Sequence, residues 1–205
     1  EEIEKLQTEL EKEDVPIKLH MGAEVFYLPN LMELKDSPLL TFGHGKYMLV
    51  EFPFEQVPGG CREVLFQLKM ADVTPIIAHP ERIKPIQEDI SIVRKFIRGG
   101  CIIQVDAGSL TGSLGVSSKK ASLEILRQGL CHIIGSDAHD DNHRNFLLAD
   151  ALEIAKEILG ESAIDLVTKN PAKILKGELL ETDIDTPSTK RETYLQKLQR
   201  RFFLK

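Results

Sequence analysis

Apolar positions recur along this chain in two rhythms that take turns. Short, mostly apolar runs at residues 18–26, 47–52, 74–79, 101–106 and 131–134 alternate with longer stretches in which apolar side chains return every three or four positions. The runs predict strands buried on both faces, and the spaced stretches predict amphipathic helices over 1–13, 57–70, 87–98, 117–128 and 146–159. In the first helix Ile3, Leu6 and Leu10 form the stripe; in 87–98 Ile90, Val93 and Ile97 share a face and Gly99-Gly100 stops the pattern. Ser117-Ser118 cap the next helix and Gly129 ends it, while Ala107 to Gly112 reads as a loop rich in backbone donors. Shorter helical turns are expected at 31–35, 163–169 and 172–176, with Asn170-Pro171 as a break between the last two. Short strands each followed by a helix imply a parallel sheet covered by helices, and a β/α barrel fits that order best.

Several strands end on chemistry. Glu24, Glu51 and His79 stand at the ends of three of them, and the run Cys131-His132-Ile133-Ile134 leads into Gly135-Ser136-Asp137-Ala138-His139. If the strand continues, alternation puts Asp137 and His139 on one side, where a carboxylate and an imidazole can meet one metal ion. A lone Asp-x-His could equally be a helix cap followed by a loop histidine. A glutamate in an apolar strand, however, needs a cationic partner, either metal or arginine. His79-Pro80-Glu81-Arg82 puts an imidazole and a planar guanidinium in one rim loop; Arg82 suits two phosphate oxygens, or forms an ordinary solvated pair with Glu81. Arg144 has the same two options. Carboxylate oxygen with imidazole nitrogen and no thiolate suits Mn, Fe, Zn or Mg better than soft metals. His20 lies roughly 13 Å from Glu24 along an extended strand, too far for one cluster. His132 falls on the other face from Asp137, and His44 is a turn residue.

Composition narrows the class. A chain of 205 residues with 42% hydrophobic residues can build one domain with a sizeable core, and a net charge of −6 argues against general nucleic-acid binding. No run approaches the roughly 18–20 apolar residues of a membrane span, so no membrane insertion and a cytoplasmic location are expected. Cys61, Cys101 and Cys131 read as buried thiols. A cysteine phosphatase loop needs an arginine at a fixed short spacing after its nucleophile, and the matching positions hold Gln67, Ala107 and Asp137. There is no nucleophile elbow, Walker loop or dinucleotide fingerprint. Residues 1–182 are read as the catalytic domain and 183–205 as a linker with a basic segment, expected to dock on the barrel or a neighbouring subunit, or on an anionic partner or membrane surface.

Five motifs in order, Gly22-Ala23-Glu24, Leu49-Val50-Glu51-Phe52-Pro53, Ala78-His79-Pro80-Glu81-Arg82, Gln104-Val105-Asp106-Ala107-Gly108-Ser109-Leu110 and Gly135-Ser136-Asp137-Ala138-His139, resemble one family. It is the bacterial manganese-dependent protein-tyrosine phosphatases of the polymerase and histidinol phosphatase (PHP) superfamily, of the CpsB/CapC/YwqE type. The resemblance implies a distorted TIM-like (β/α)7 barrel of the PHP type, here lacking its first strands. It further implies three divalent ions, Mn2+ or else Fe, Zn, Co or Mg, held by Glu24, Glu51, His79, Asp137 and His139, with Arg82 and Arg144 on the substrate phosphate. The implied partner is the phosphotyrosine tail of a bacterial tyrosine kinase controlling capsule and exopolysaccharide synthesis, with a homo-oligomer left open. The family's His-x-His pair and a further histidine are expected upstream of Glu1, and Asp106 stands where the family often has asparagine. Two rival expectations remain: a small-molecule phosphomonoesterase of the histidinol-phosphatase kind, and a non-catalytic binding remnant.

Overall fold

The computed structural model describes residues 2–142 and 144–181. The segment 183–205 lies outside the described residues. Among these, five strands form one parallel sheet in sequence order: β1 (Glu24–Phe26), β2 (Tyr47–Glu51), β3 (Thr74–Ile77), β4 (Ile102–Asp106) and β5 (Ile133–Gly135). Helix α1 (Glu2–Lys12) precedes β1, and α2 (Cys61–Met70) links β2 to β3. Helices α3 (Lys84–Glu88) and α4 (Ser91–Arg98) lead to β4, α5 (Ala107–Thr111) and α6 (Val116–Arg127) lead to β5, and α7 (Leu148–Leu159) and α8 (Lys169–Leu175) follow it. An α/β fold with a parallel sheet is therefore present, as the alternating rhythm implies.

Alternation along the strands sorts side chains into two clusters. Met48, Val50, Ile77, Ile103, Val105 and Ile134 enter the large core beneath the helices. Tyr47, Ile76, Ile102 and Ile133 join a smaller cluster on the opposite face with Ile174 of α8 and Leu180. Phe52, 1% exposed, joins the larger core through its ring contacts with Tyr27 and Phe96. The end of α8 is seated closely: a Cβ on Gly43, whose φ is +59°, would stand 2.1 Å from the Ile174 carbonyl oxygen, so only glycine allows this approach.

Some expected boundaries differ, each for a local reason. Of the run 18–26 only Glu24–Phe26 is strand; among the described residues β1 pairs with β2 alone, and the segment before it is tied to α1 instead. Gln7 of α1 donates to the Ile17 carbonyl at 3.1 Å and accepts from the Leu19 amide at 2.8 Å. The helix expected over 87–98 is two helices; Asp89 leaves helical geometry at φ −138° and its carboxylate accepts the Ser91 amide at 2.9 Å. Within the expected loop 107–112, Ala107–Thr111 is a helix, capped by Asp106, which accepts from the Gly108 amide at 2.8 Å. Pro171 sits within the first turn of α8, where its missing N–H costs nothing.

His132 is a packing histidine with a fixed protonation state. The Ile103 amide donates to its Nδ1 at 3.2 Å, and burial pushes its pKa down to about 4. Because the unfolded histidine takes up its proton near pH 6.5, this site's contribution is complete above that pH and is lost as pH falls towards 4. Relative to His132→Asn, which keeps an acceptor near Nδ1, the native protein is expected to lose roughly 3 kcal/mol more between those limits. Urea unfolding of both proteins at a series of pH values checks this.

Candidate metal centre

The strand register places three carboxylates at one end of the sheet. Glu24 opens β1 beside Leu49, Glu51 closes β2 beside Phe26, and Asp106 closes β4 beside Gly135. Counting alternate positions, Glu51 shares the face of Tyr47 and Leu49, and Asp106 shares that of Ile102, which is the face of the smaller cluster. His79 follows β3 into the gap. One donor atom each from Glu24, Glu51 and His79 lies within 4.8 Å of the others. His79 Nε2 is 2.8 Å from Glu24 Oε1 and 3.7 Å from Glu51 Oε1. The His79 hydrogen bond holds the Glu24 carboxyl below its ordinary range. Burial presses His79 towards neutrality, and the bond to Glu24 with its charge outweighs that and raises the imidazole pKa. Its backbone has φ 29°, a conformation rare outside glycine, so the ring is aimed at local conformational cost.

The second half of the site does not form as alternation predicts. The strand ends at Gly135, and Asp137 adopts φ 45°, so Asp137 and His139 belong to a loop and not to an extended strand. The loop still turns both inward upon one another. His139 Nδ1 lies 2.9 Å from the Asp137 carbonyl oxygen, and the His139 amide donates to the Arg144 carbonyl at 2.8 Å. Asp137 Oδ2 accepts from Arg82 Nη1 at 3.0 Å and also from Arg144 Nη2. Arg144 Nη1 stands 3.2 Å from His139 Nε2. Asp137 and His139 thus sit with the two guanidinium groups, beside rather than within the Glu24, Glu51 and His79 group.

Arg82 joins the two halves. Its Nη1 is 3.7 Å from Asp106 Oδ2, and its guanidinium carbon lies 4.5 Å above the Phe54 ring centre. Glu81 is not a solvated partner for it. Fully buried, Glu81 accepts the Asp106 amide at 2.9 Å through Oε1, and burial pushes its pKa up to about 7. Gln87 Nε2 donates to the Glu81 carbonyl at 2.9 Å. Sequence reasoning misses this clamp because nothing in Pro80-Glu81-Arg82 signals that a loop glutamate points inward. Asp106 was visible as a residue; its double duty as α5 cap and neighbour of Arg82 was not. Among the described residues His79 Nδ1 and Asp106 Oδ2 are buried without a hydrogen-bond partner. A site with this many carboxylate oxygens and such orphaned atoms fits a divalent cation bound by oxygen and nitrogen donors.

The thiols are unsuited to nucleophilic work. Burial raises the pKa of Cys61, pushes Cys101 up to about 12, and raises Cys131.

Comparison with known proteins gives consistent results. A family model described as capsular polysaccharide synthesis, CpsB/CapC, matches residues 1–176. Tyrosine-protein phosphatase YwqE of Bacillus subtilis is 31% identical over 195 residues, 95% of this chain and 77% of its own. A putative tyrosine-protein phosphatase, CapC of Staphylococcus aureus, is 28% identical over 193 residues, 94% of this chain and 76% of its own. Tyrosine-protein phosphatase CpsB of Streptococcus pneumoniae is 29% identical over 170 residues, covering 78% and 68%. Among solved structures, a chain from the crystal structures of B. subtilis YwqE and S. pneumoniae CpsB, described as unique metal-dependent tyrosine phosphatases, superimposes with TM-score 0.81 at 30% identity. That match covers 87% of this chain and 73% of the solved one.

The Glu81 clamp makes a stability prediction. Glu81→Ala strands the Asp106 amide and opens a cavity, and is expected to cost about 2–4 kcal/mol. Glu81→Gln keeps an acceptor oxygen and should cost less than half of that; denaturant midpoints at fixed pH decide between them.

Proposed function

This chain belongs to the CpsB/CapC family of capsular polysaccharide synthesis proteins, and on that premise we propose that it is a metal-dependent protein-tyrosine phosphatase. The observation that carries the reading is the convergence of Glu24, Glu51 and His79 within 4.8 Å beside two guanidinium groups. A metal-dependent phosphomonoesterase can use both halves of that arrangement, oxygen and nitrogen donors for a cation and planar forks for the phosphoryl oxygens.

The residues proposed to hold metal are Glu24, Glu51, His79, Asp137 and His139, for as many as three divalent ions, with Mn2+ as the proposed metal. Carboxylate-rich donor sets with imidazole favour such hard to borderline cations. The chemistry a bound divalent cation supplies is Lewis acidity and an activated water at neutral pH. The remaining work falls to the chain. Arg82 and Arg144 take the phosphoryl oxygens and stabilise the charge redistributed over them as the ester bond breaks. Asp106 and Phe54 hold Arg82 between them, and the Glu81 bond to the Asp106 amide fixes the loop that carries it. The buried thiols take no part, so no covalent phosphoenzyme forms on cysteine.

The proposed substrate is phosphotyrosine on a bacterial tyrosine kinase that governs capsule and exopolysaccharide synthesis, and the proposed location is the cytoplasm. No helix of the described residues is long and apolar enough to cross a membrane. Consecutive parallel strands lying side by side in chain order support a distorted (β/α)7 barrel whose C-terminal rim is the site. Residues 1–182 would then be one catalytic domain, with 183–205 a separate basic segment.

Hydrolysis of a phosphotyrosyl peptide should require added Mn2+ and stop with chelator. Glu51→Gln should lower kcat/KM by about 100-fold and reduce bound metal by elemental analysis, while Cys→Ser changes at all three thiols leave turnover intact. Chelator-insensitive turnover, or a Glu51→Gln protein with full activity, would sink the assignment.

A further inference from the structure

Phe54 is held in place at the edge of the site and kept half in solvent, a combination that a core residue does not need. Its backbone carbonyl accepts the Lys84 amide at 2.8 Å, which ties the segment after β2 to the start of α3. One neighbour is the Arg82 guanidinium, 4.5 Å from the ring centre; another is the His79 imidazole, 5.8 Å between centres at an interplanar angle of 58°. The ring nevertheless keeps 38% of its surface exposed. Phe26 and Phe146 are more exposed, at 52% and 75%, but among the described residues no guanidinium or imidazole contact fixes either ring. Phe54 is thus an oriented aromatic surface whose two fixing partners are the proposed phosphate fork and a proposed metal ligand.

We infer that Phe54 is the specificity-determining platform for the aryl group of the substrate, selecting aryl over alkyl phosphate esters. The inference rests on the phosphatase reading above. A phosphate seated on Arg82 would hold its ester substituent, joined through the bridging oxygen, near the same guanidinium that lies against Phe54. A flat ring attached there gains an offset or edge-to-face contact with the exposed part of Phe54, while a short alkyl chain has no comparable face to offer. Because Arg82 already occupies part of the ring and His79 sets its tilt, the platform is oriented before substrate arrives, and little side-chain entropy is lost on binding.

Phe54 also supports Arg82, and the test must separate that support from stacking. Phenylphosphonate and methylphosphonate, which share the anion and are not hydrolysed, are titrated calorimetrically into the Mn2+-loaded protein and into Phe54→Leu, Phe54→Ala and Phe54→Tyr. A weakening common to both ligands measures support of Arg82; only the phenyl-to-methyl affinity ratio measures the platform. That ratio is expected to favour phenyl in the native protein, to fall about 3- to 10-fold in Phe54→Leu and Phe54→Ala, and to persist in Phe54→Tyr. The proposal is overturned if the native protein shows no phenyl preference, or if the ratio is unchanged in the Leu and Ala variants, whether both affinities drop together or neither does. Turnover is not involved, so a protein that hydrolyses no ester yet shows the expected ratios would refute the phosphatase reading and leave the platform standing.

Discussion

Five carboxylates gathered at one end of a parallel sheet create an electrostatic demand that the neighbouring structure must answer. Glu24, Glu51, Glu81, Asp106 and Asp137 meet two guanidinium groups and two imidazoles, in surroundings where an uncompensated charge is expensive. Each acid finds a different settlement. Glu24 shares a proton-bearing contact with His79, and Asp137 draws on both arginines. Glu81 accepts a backbone amide, and burial pushes its pKa up to about 7. Asp106 caps α5 with one oxygen and turns the other towards Arg82. Among the described residues Glu51 meets the same His79 Nε2 more distantly, at 3.7 Å. The compensation is incomplete where the donor atoms converge, and that is the place where cations stabilise the arrangement most.

The fold produces this crowding by its geometry. Parallel strands all end at the same side, so a carboxylate at the close of one strand is brought beside those of its neighbours without any long loop to carry it. Side-chain alternation then settles which face each residue occupies, and the register between β1 and β2 sets Glu51 opposite Phe26, two positions from Glu24. The residues that finish the site lie just beyond the strands, and both His79 and Asp137 need a left-handed backbone to turn their side chains in. Such conformations cost of order 1–3 kcal/mol each and persist only where the surroundings enforce them. Here the enforcing contacts are the Arg82 amide on the His79 carbonyl at 3.0 Å and the loop closed by His139 and Arg144.

What could be read from the residues follows from the same physics. Buried strands announce themselves as apolar runs, and a carboxylate or imidazole set against one stands out; Glu24, Glu51 and His79 are legible for that reason. The boundaries were less so. Residues 18–23 are apolar enough for a strand but have no ladder to join, since Gln7 ties the segment to α1, a contact across ten or more positions that no local pattern encodes. Helix α5 was hidden because its sequence is glycine-rich and serine-rich; the Asp106 cap that starts it is clear only once Asp106 is known to end a strand. Alternation pairs Asp137 with His139 only in an extended strand, which φ 45° rules out, yet the loop brings them together through the Asp137 carbonyl and Arg144 instead. Glu81 was opaque, because burial of a charged loop residue is a tertiary fact.

The arginines show why this rim should receive an anion as well as cations. A guanidinium carries five N–H donors and no acceptor. Arg82 and Arg144 converge on a single oxygen of Asp137, and their other close partners are one imidazole nitrogen, the distant second oxygen of Asp106 and the face of Phe54. Among the described residues, most of the donors in these two forks therefore have no protein oxygen placed to meet them, although Arg82 has only 17% of its side-chain surface exposed and Arg144 only 30%. A tetrahedral phosphate presents several acceptor oxygens in the spacing a fork can grip with two bonds, and brings negative charge to positive groups already partly removed from water. Converging carboxylates on one side and guanidinium forks on the other are complementary in charge to the two parts of the proposed substrate complex, a divalent cation and a phosphate ester.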